Sequence, residues 1–425
     1  MNLRELFLLK FKKNKELSKS FAWRLVQLLG KQGASALMFF ISVYFLTKED
    51  MGIYNYVFSA LTLLVMFADF GISTATSKYV AEYNSIRKER VRRVLFNSGS
   101  IVLLISTLAF VFTLLFGERL FPEYYQYLLI SLPLVFLSPM SSLLDGVYRG
   151  LKKFKTLSVL TLVSGAIAIL ASYFLVQAYG LTGAILAQIV LFLIMTVLLF
   201  LFNGSMEFKY DRKILKDIGT YSIYFGIATL GYYLFSKVNI LILGQYGLLE
   251  EIAVYELLNK MFTVYLIPFS VLGQVLAPNV VELFALKRYE SIRSAFKKLL
   301  LYLSGLGILF IPVSMIVSKV AIDILLPEYS NGVLIALLFP MALTYAKMIP
   351  GAAINSGIIT STGHAGIMAV LNVISGILNV LLNIWAVREY GYLGVVWVTL
   401  VIQMISLVVL YLVYYSKLKE YRDGK

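Results

Sequence analysis

The chain has no cysteine, so disulfides and thiolate metal sites are excluded and redox compartment leaves no trace in it. Histidine occurs once, at His364, too few for a histidine metal site and a weak start for a serine–histidine–carboxylate triad. No glycine-rich phosphate loop stands between a strand pattern and a helix pattern, so no nucleotide-hydrolysing module is expected. Charge is scarce too: 14% of residues are charged against 60% hydrophobic, with a mean hydropathy of +0.82. The acidic residues are scattered through loops instead of gathered as catalytic pairs. No catalytic residue, metal or cofactor is assigned, and enzymatic function is not expected.

Apolar sequence is what the chain has in abundance. Crossing a bilayer takes about 20 apolar residues in a helix. Twelve stretches qualify: 21–46, 52–81, 94–116, 125–147, 157–178, 181–203, 216–243, 250–276, 295–318, 332–360, 366–387 and 392–415. Three boxes recur in the same order in the two halves. Glu49-Asp50-Met51-Gly52-Ile53-Tyr54 returns as Glu250-Glu251-Ile252-Ala253-Val254-Tyr255, and Phe121-Pro122-Glu123-Tyr124 as Leu326-Pro327-Glu328-Tyr329. Tyr179-Gly180-Leu181-Thr182-Gly183 returns as Tyr390-Gly391-Tyr392-Leu393-Gly394. The offsets drift slowly, as small insertions would make them, which argues for a duplicated unit of six helices. Six being even, both halves enter the membrane in the same direction and should be related by a pseudo-two-fold axis along its normal.

The expected organisation is an all-α integral membrane protein of two six-helix bundles, 21–203 and 216–415. A basic segment at 1–20, a linker at 204–215 and a tail at 416–425 accompany them. The basic segment lacks the short apolar stretch and cleavage site of a signal peptide, and reads as a lead into the first helix. With the N-terminus inside, alternate loops and the two ends hold 29 of the 38 lysines and arginines, and the opposite loops hold only Lys48, Arg119, Lys319 and Arg388. That bias places both termini in the cytoplasm. It also accounts for most of the formal charge of +15, so anionic lipid headgroups, not nucleic acid, are the expected surface partner.

Ionisable residues at bilayer depth are expensive and mark functional positions. Arg24 and Lys237 lie within about two turns of a helix end and can snorkel. Lys31, Lys260 and Lys347 lie deeper. Glu256 is one turn from Lys260, which makes a local ion pair the plain alternative there. Arg24, Gln27 and Lys31 share one face of the first helix and should line a cavity. Deep carboxylates are fewer: Asp69 and Glu256 are candidates for an ion pair or a coupling-ion site, and Asp145 lies near the cytoplasmic end of the fourth helix. The excess of cations favours an anionic cargo, phosphate above all.

Tyr44-Phe45-Leu46, the Glu49–Tyr54 box, Ala68-Asp69-Phe70-Gly71-Ile72 and Lys78-Tyr79-Val80-Ala81-Glu82 together resemble the opening of a known family. It is the Wzx-type flippases of polysaccharide biosynthesis, within the multidrug/oligosaccharidyl-lipid/polysaccharide (MOP) exporter superfamily. Asn239-Ile240-Leu241-Ile242-Leu243-Gly244, Val254-Tyr255 and Lys260 extend the resemblance to the second half. Asn239 stands where many relatives show an aspartate, which weighs against ion coupling there. The resemblance implies two six-helix bundles around a central cavity open alternately to each side of the cell membrane. It implies a polyprenyl-diphosphate-linked oligosaccharide as cargo, moved from the inner to the outer leaflet. A glycan polymerase and glycosyltransferases are the implied partners, and sodium or proton coupling stays open. Two alternatives stand beside it: a cation-coupled multidrug antiporter of the same superfamily, and a non-transporting protein of envelope assembly. Residues 21–46 contain no Asp or Glu, where the antiporters typically carry a carboxylate.

Overall fold

The structure is a computed structural model that describes residues 15–86, 88–202 and 207–422. Parts of the expected basic segment, linker and tail (1–14, 204–206 and 423–425) lie outside the described residues. Among the described residues every regular element is helical. In chain order they begin with α1 Lys15–Phe45, α2 Lys48–Asp69, α3 Ile72–Ile86, α4 Lys88–Leu120, α5 Tyr125–Ser131, α6 Pro133–Gly150 and α7 Phe154–Leu201. There follow α8 Arg212–Ser236, α9 Val238–Gln245, α10 Leu249–Ala285, α11 Tyr289–Leu325, α12 Gly332–Ile354 and α13 Ala365–Arg422. A π turn at Asn355–Ile359 continues α12.

Nine of the described helical stretches are long and apolar enough to cross a membrane, and α8 with α9, bent by 50°, make a tenth. Two of the ten hold a pair of crossings each. A straight helix of the length of α7 would run about 72 Å, more than twice the hydrocarbon thickness. Instead α7 turns back at Gly180, whose φ of 56° and ψ of −131° suit glycine almost alone. The return is so tight that a Cβ on Gly183 would lie 1.8 Å from the Leu175 carbonyl oxygen. α13 repeats the device at Gly391, with φ 60° and ψ −150°. There a Cβ on Gly394 would lie 2.5 Å from the Ala386 carbonyl oxygen. The duplicated Tyr-Gly box thus makes the same reversal in both halves. The described residues thus contain the twelve membrane helices, in two bundles, that the hydropathy pattern predicts.

Several helix ends and interruptions differ from that pattern. The second crossing is broken at Phe70 and Gly71, both with positive φ, and restarts as α3. The seventh is broken at Lys237, between α8 and α9. α10 and α11 run past the expected ends at 276 and 295, so the polar stretch between them is helical almost throughout.

Contacts divide the chain into two compact units between Tyr233 and Leu234, not at the expected linker 204–215. The reason is packing: Ile214 and Ile218 belong to the buried core that Ile72, Val80, Leu143, Val147, Tyr148 and Leu157 form. The Tyr233 hydroxyl also donates to the Ser59 carbonyl at 2.8 Å.

Within the first unit, α3 and α6 approach each other closely. Two glycines one turn apart make the approach possible, the small-residue spacing that lets helices meet in a membrane. A Cβ on Gly146 would lie 2.4 Å from the Ser73 carbonyl oxygen, and one on Gly150 would lie 2.7 Å from that of Ser77. Within the second unit, Gly273 of α10 meets the π turn, and its Cβ position lies 2.2 Å from the Ser356 hydroxyl.

Candidate functional site

The first unit gathers charge from α1, α2 and α6. Arg24 donates to Gln27, and Gln27 passes the chain on, its Nε2 donating to Asp145 Oδ2 at 2.6 Å. The other oxygen of Asp145 lies 2.6 Å from Arg149 Nε. Gln27 and Asp145 are 2% and 8% exposed, so the relay sits inside the protein. Both Asp145 and Arg149 act electrostatically on Arg24.

Asp69 has a defined structural task beside them. Its Oδ1 accepts from the Ser73 backbone N–H at 2.9 Å and its Oδ2 from the Ser73 hydroxyl at 2.8 Å. It thereby caps the restarted helix α3, whose first amides have no partner in their own helix. Lys31 and Arg149 both act on its carboxylate. Lys31 is exposed in this unit. Three cations, Arg24, Lys31 and Arg149, face two carboxylates, which leaves one surplus positive charge.

The second unit holds the other candidates. Lys237, at the break between α8 and α9, lies 3.5 Å from Glu256, whose side chain is almost fully buried. Asn259 Nδ2 also donates to Glu256 Oε1 at 2.8 Å. The structure therefore pairs Glu256 with Lys237 across helices, where sequence spacing suggests Lys260. Lys260 stays within electrostatic reach of both. Lys347 donates to Gln403 Oε1 at 2.6 Å, a neutral partner. Three cations and one carboxylate leave a surplus of two.

Asn239 belongs to a separate, uncharged cluster. Its Oδ1 accepts from Asn379 and from Asn383, each at 3.0 Å, and its Nδ2 donates to Thr399 at 3.0 Å. All four residues are buried. These amide contacts tie α9 to both arms of α13.

Among the described residues no group of three His, Asp or Glu side chains could hold a metal. His364 sits in the turn just before α13, 3.0 Å from the Thr362 hydroxyl, and burial holds its imidazole pKa below the ordinary value. The structure adds Arg149 and Gln403 to the sequence candidates and gives Gln27 and Asp145 defined partners. Arg149 reads as a loop residue by hydropathy, yet its i,i+4 spacing from Asp145, in register with Gly146 and Gly150, carries the signal.

The same fold occurs in solved transporters of the MOP superfamily. An inward-facing multidrug resistance MATE family transporter matches with a TM-score of 0.78 at 14% identity, over 94% of this chain and 99% of that one. A MOP superfamily transporter from Pyrococcus furiosus, described as having a binding pocket of reverse polarity, matches with a TM-score of 0.67 at 14% identity. That match covers 95% of this chain and 96% of the other. The chain is thus a multi-pass membrane protein with the fold of those transporters. The profile of the family described as "Polysaccharide biosynthesis protein" matches residues 17–284, and the chain belongs to that family. An uncharacterized membrane protein of Methanocaldococcus jannaschii, MJ1375, is 25% identical over 253 residues. The matched stretch is 54% of this chain and only 60% of that relative.

Proposed function

We propose that this protein is a membrane transporter, a flippase that carries a polyprenyl-diphosphate-linked oligosaccharide from the inner to the outer leaflet of the cell membrane by alternating access. The observation that carries the reading is the surplus of cations inside the crossings of each unit. A diphosphate bears about two negative charges that must shed bulk water on the way across, and cations held within the membrane-spanning helices can replace that hydration. Lys31, Lys260 and Lys347 contact the headgroup in this reading. Arg24 gathers it from the cytoplasmic side, and Lys237 stands nearer the exit.

Both termini are cytoplasmic in this reading, by the loop bias, and the glycan is delivered to a polymerase on the far side. A drug antiporter is disfavoured on electrostatic grounds, since a positive interior repels cationic drugs. The test is glycan export in cells. Replacing Lys31 or Lys347 with Gln abolishes export while leaving the protein in the membrane, and Arg at either position retains part of it. Export at the wild-type rate by both Gln variants would show that the lysines are structural.

A further inference from the structure

We propose that Asp145 is an internal stand-in for the headgroup: it occupies Arg149 and, through Gln27, Arg24 until a diphosphate displaces it. The proposal rests on the flippase reading and extends it to two residues, Asp145 and Arg149, that composition and hydropathy leave unassigned. Three observations carry it. First, both oxygens of one buried carboxylate are engaged by the kinds of group that recognise phosphate, an amide N–H at 2.6 Å and a guanidinium at 2.6 Å. Second, the Arg149 contact is close in distance but off the line of a hydrogen bond, and Nε is buried without an aligned acceptor. Charge rather than directed bonding holds the pair, so the guanidinium can regroup around a better ligand. Third, Asp145 and Arg149 adjoin Gly146 and Gly150, the glycines that meet α3, and Arg149 acts electrostatically on Asp69, as Lys31 also does.

The physical consequence is a site with a built-in ceiling on affinity. Without Asp145, the guanidiniums of Arg24 and Arg149 would face each other uncompensated. With it, an arriving diphosphate must displace one negative charge, and the freed carboxylate then repels the bound headgroup. A carrier needs binding weak enough for release, and Asp145 supplies the opposing charge. Asp145 is thus a positioning residue, and Arg149 a headgroup contact.

The experiment uses the full chain in nanodiscs, with farnesyl diphosphate and inorganic pyrophosphate as probes, and flipping of a prenyl-diphosphate saccharide in vesicles as the rate. Asp145→Asn is expected to bind both probes about tenfold more tightly and to flip more slowly, so KM and kcat fall together. Arg149→Gln is expected to bind both more weakly, with Arg149→Lys restoring part of the affinity. Asp145→Glu keeps the competing charge and stays close to wild type. Should Asp145→Asn fail to fold, Gln27→Met cuts the Arg24 arm alone and is expected to tighten binding about threefold.

Unchanged or weaker probe binding by Asp145→Asn, or by Gln27→Met in its place, overturns the proposal. So does tighter binding confined to farnesyl diphosphate, which would place the effect on the prenyl chain. A wild-type protein that binds neither probe would remove the flippase reading itself, an outcome separate from an indifferent Asp145.

Discussion

Replacing Gly146 with alanine adds one methyl group where α6 touches α3. The new Cβ would lie 2.4 Å from the Ser73 carbonyl oxygen, whereas ordinary contact begins near 3.4 Å. The obstacle is backbone, so no side chain can swing aside, and the helices must separate by roughly 1 Å. Overpacking of this kind costs about 1–3 kcal/mol. The same substitution at Gly33, with nothing within 4 Å of its Cβ position, should instead gain up to about 1 kcal/mol from helix propensity. Thermal unfolding of the two variants in detergent should therefore move in opposite directions. Function should follow, because the displaced contact aligns Asp69 and Ser73 with Asp145 and Arg149. A shift of about 1 Å in a binding constellation can cost up to a hundredfold in rate, so Gly146→Ala should transport poorly even at temperatures where it remains folded. Equal melting of Gly146→Ala and Gly33→Ala, with normal transport by both, would refute the packing argument.

Two further outcomes are open to direct measurement. The chain has no cysteine, so single cysteines report topology cleanly: those at Glu250 and Tyr390 should react with an impermeant thiol reagent from outside, and those at Lys213 and Lys419 should stay protected in sealed cells. Reversed labelling would overturn the orientation. The Tyr411 hydroxyl is buried without a partner, so Tyr411→Phe should leave stability unchanged or raise it by about 1 kcal/mol in a melting experiment; a loss of more than that would mean the hydroxyl is engaged.

The crossings and the two reversals were legible because their cause is local. Hydropathy averages over a window as long as a helix, and a glycine next to tyrosine in both halves marks a turn that glycine alone can make. The breaks at Phe70–Gly71 and at Lys237 escaped for the same reason, since an interruption of one or two residues vanishes in a window of about 20 residues. At the site, the stripe of Arg24, Gln27 and Lys31 follows from helical spacing, and the structure keeps it on one face. Glu256 shows the limit. Sequence proximity offers it Lys260 one turn away, but the break before α9 delivers Lys237 from another helix, and no one-dimensional pattern encodes that meeting. Asp69 shows it again, because its use as a cap depends on where the second crossing breaks.

The decisive measurement is flipping by purified protein in sealed vesicles of two fluorescent lipid-linked saccharides that differ only in the linker, one a diphosphate and one neutral. The wild type should move the diphosphate form and leave the neutral one where it is, and Lys347→Gln should lose that movement while Lys347→Arg keeps part of it. Equal movement of both lipids by the wild type, or an undiminished rate in both Lys31→Gln and Lys347→Gln, would contradict recognition of the cargo by cations held within the membrane.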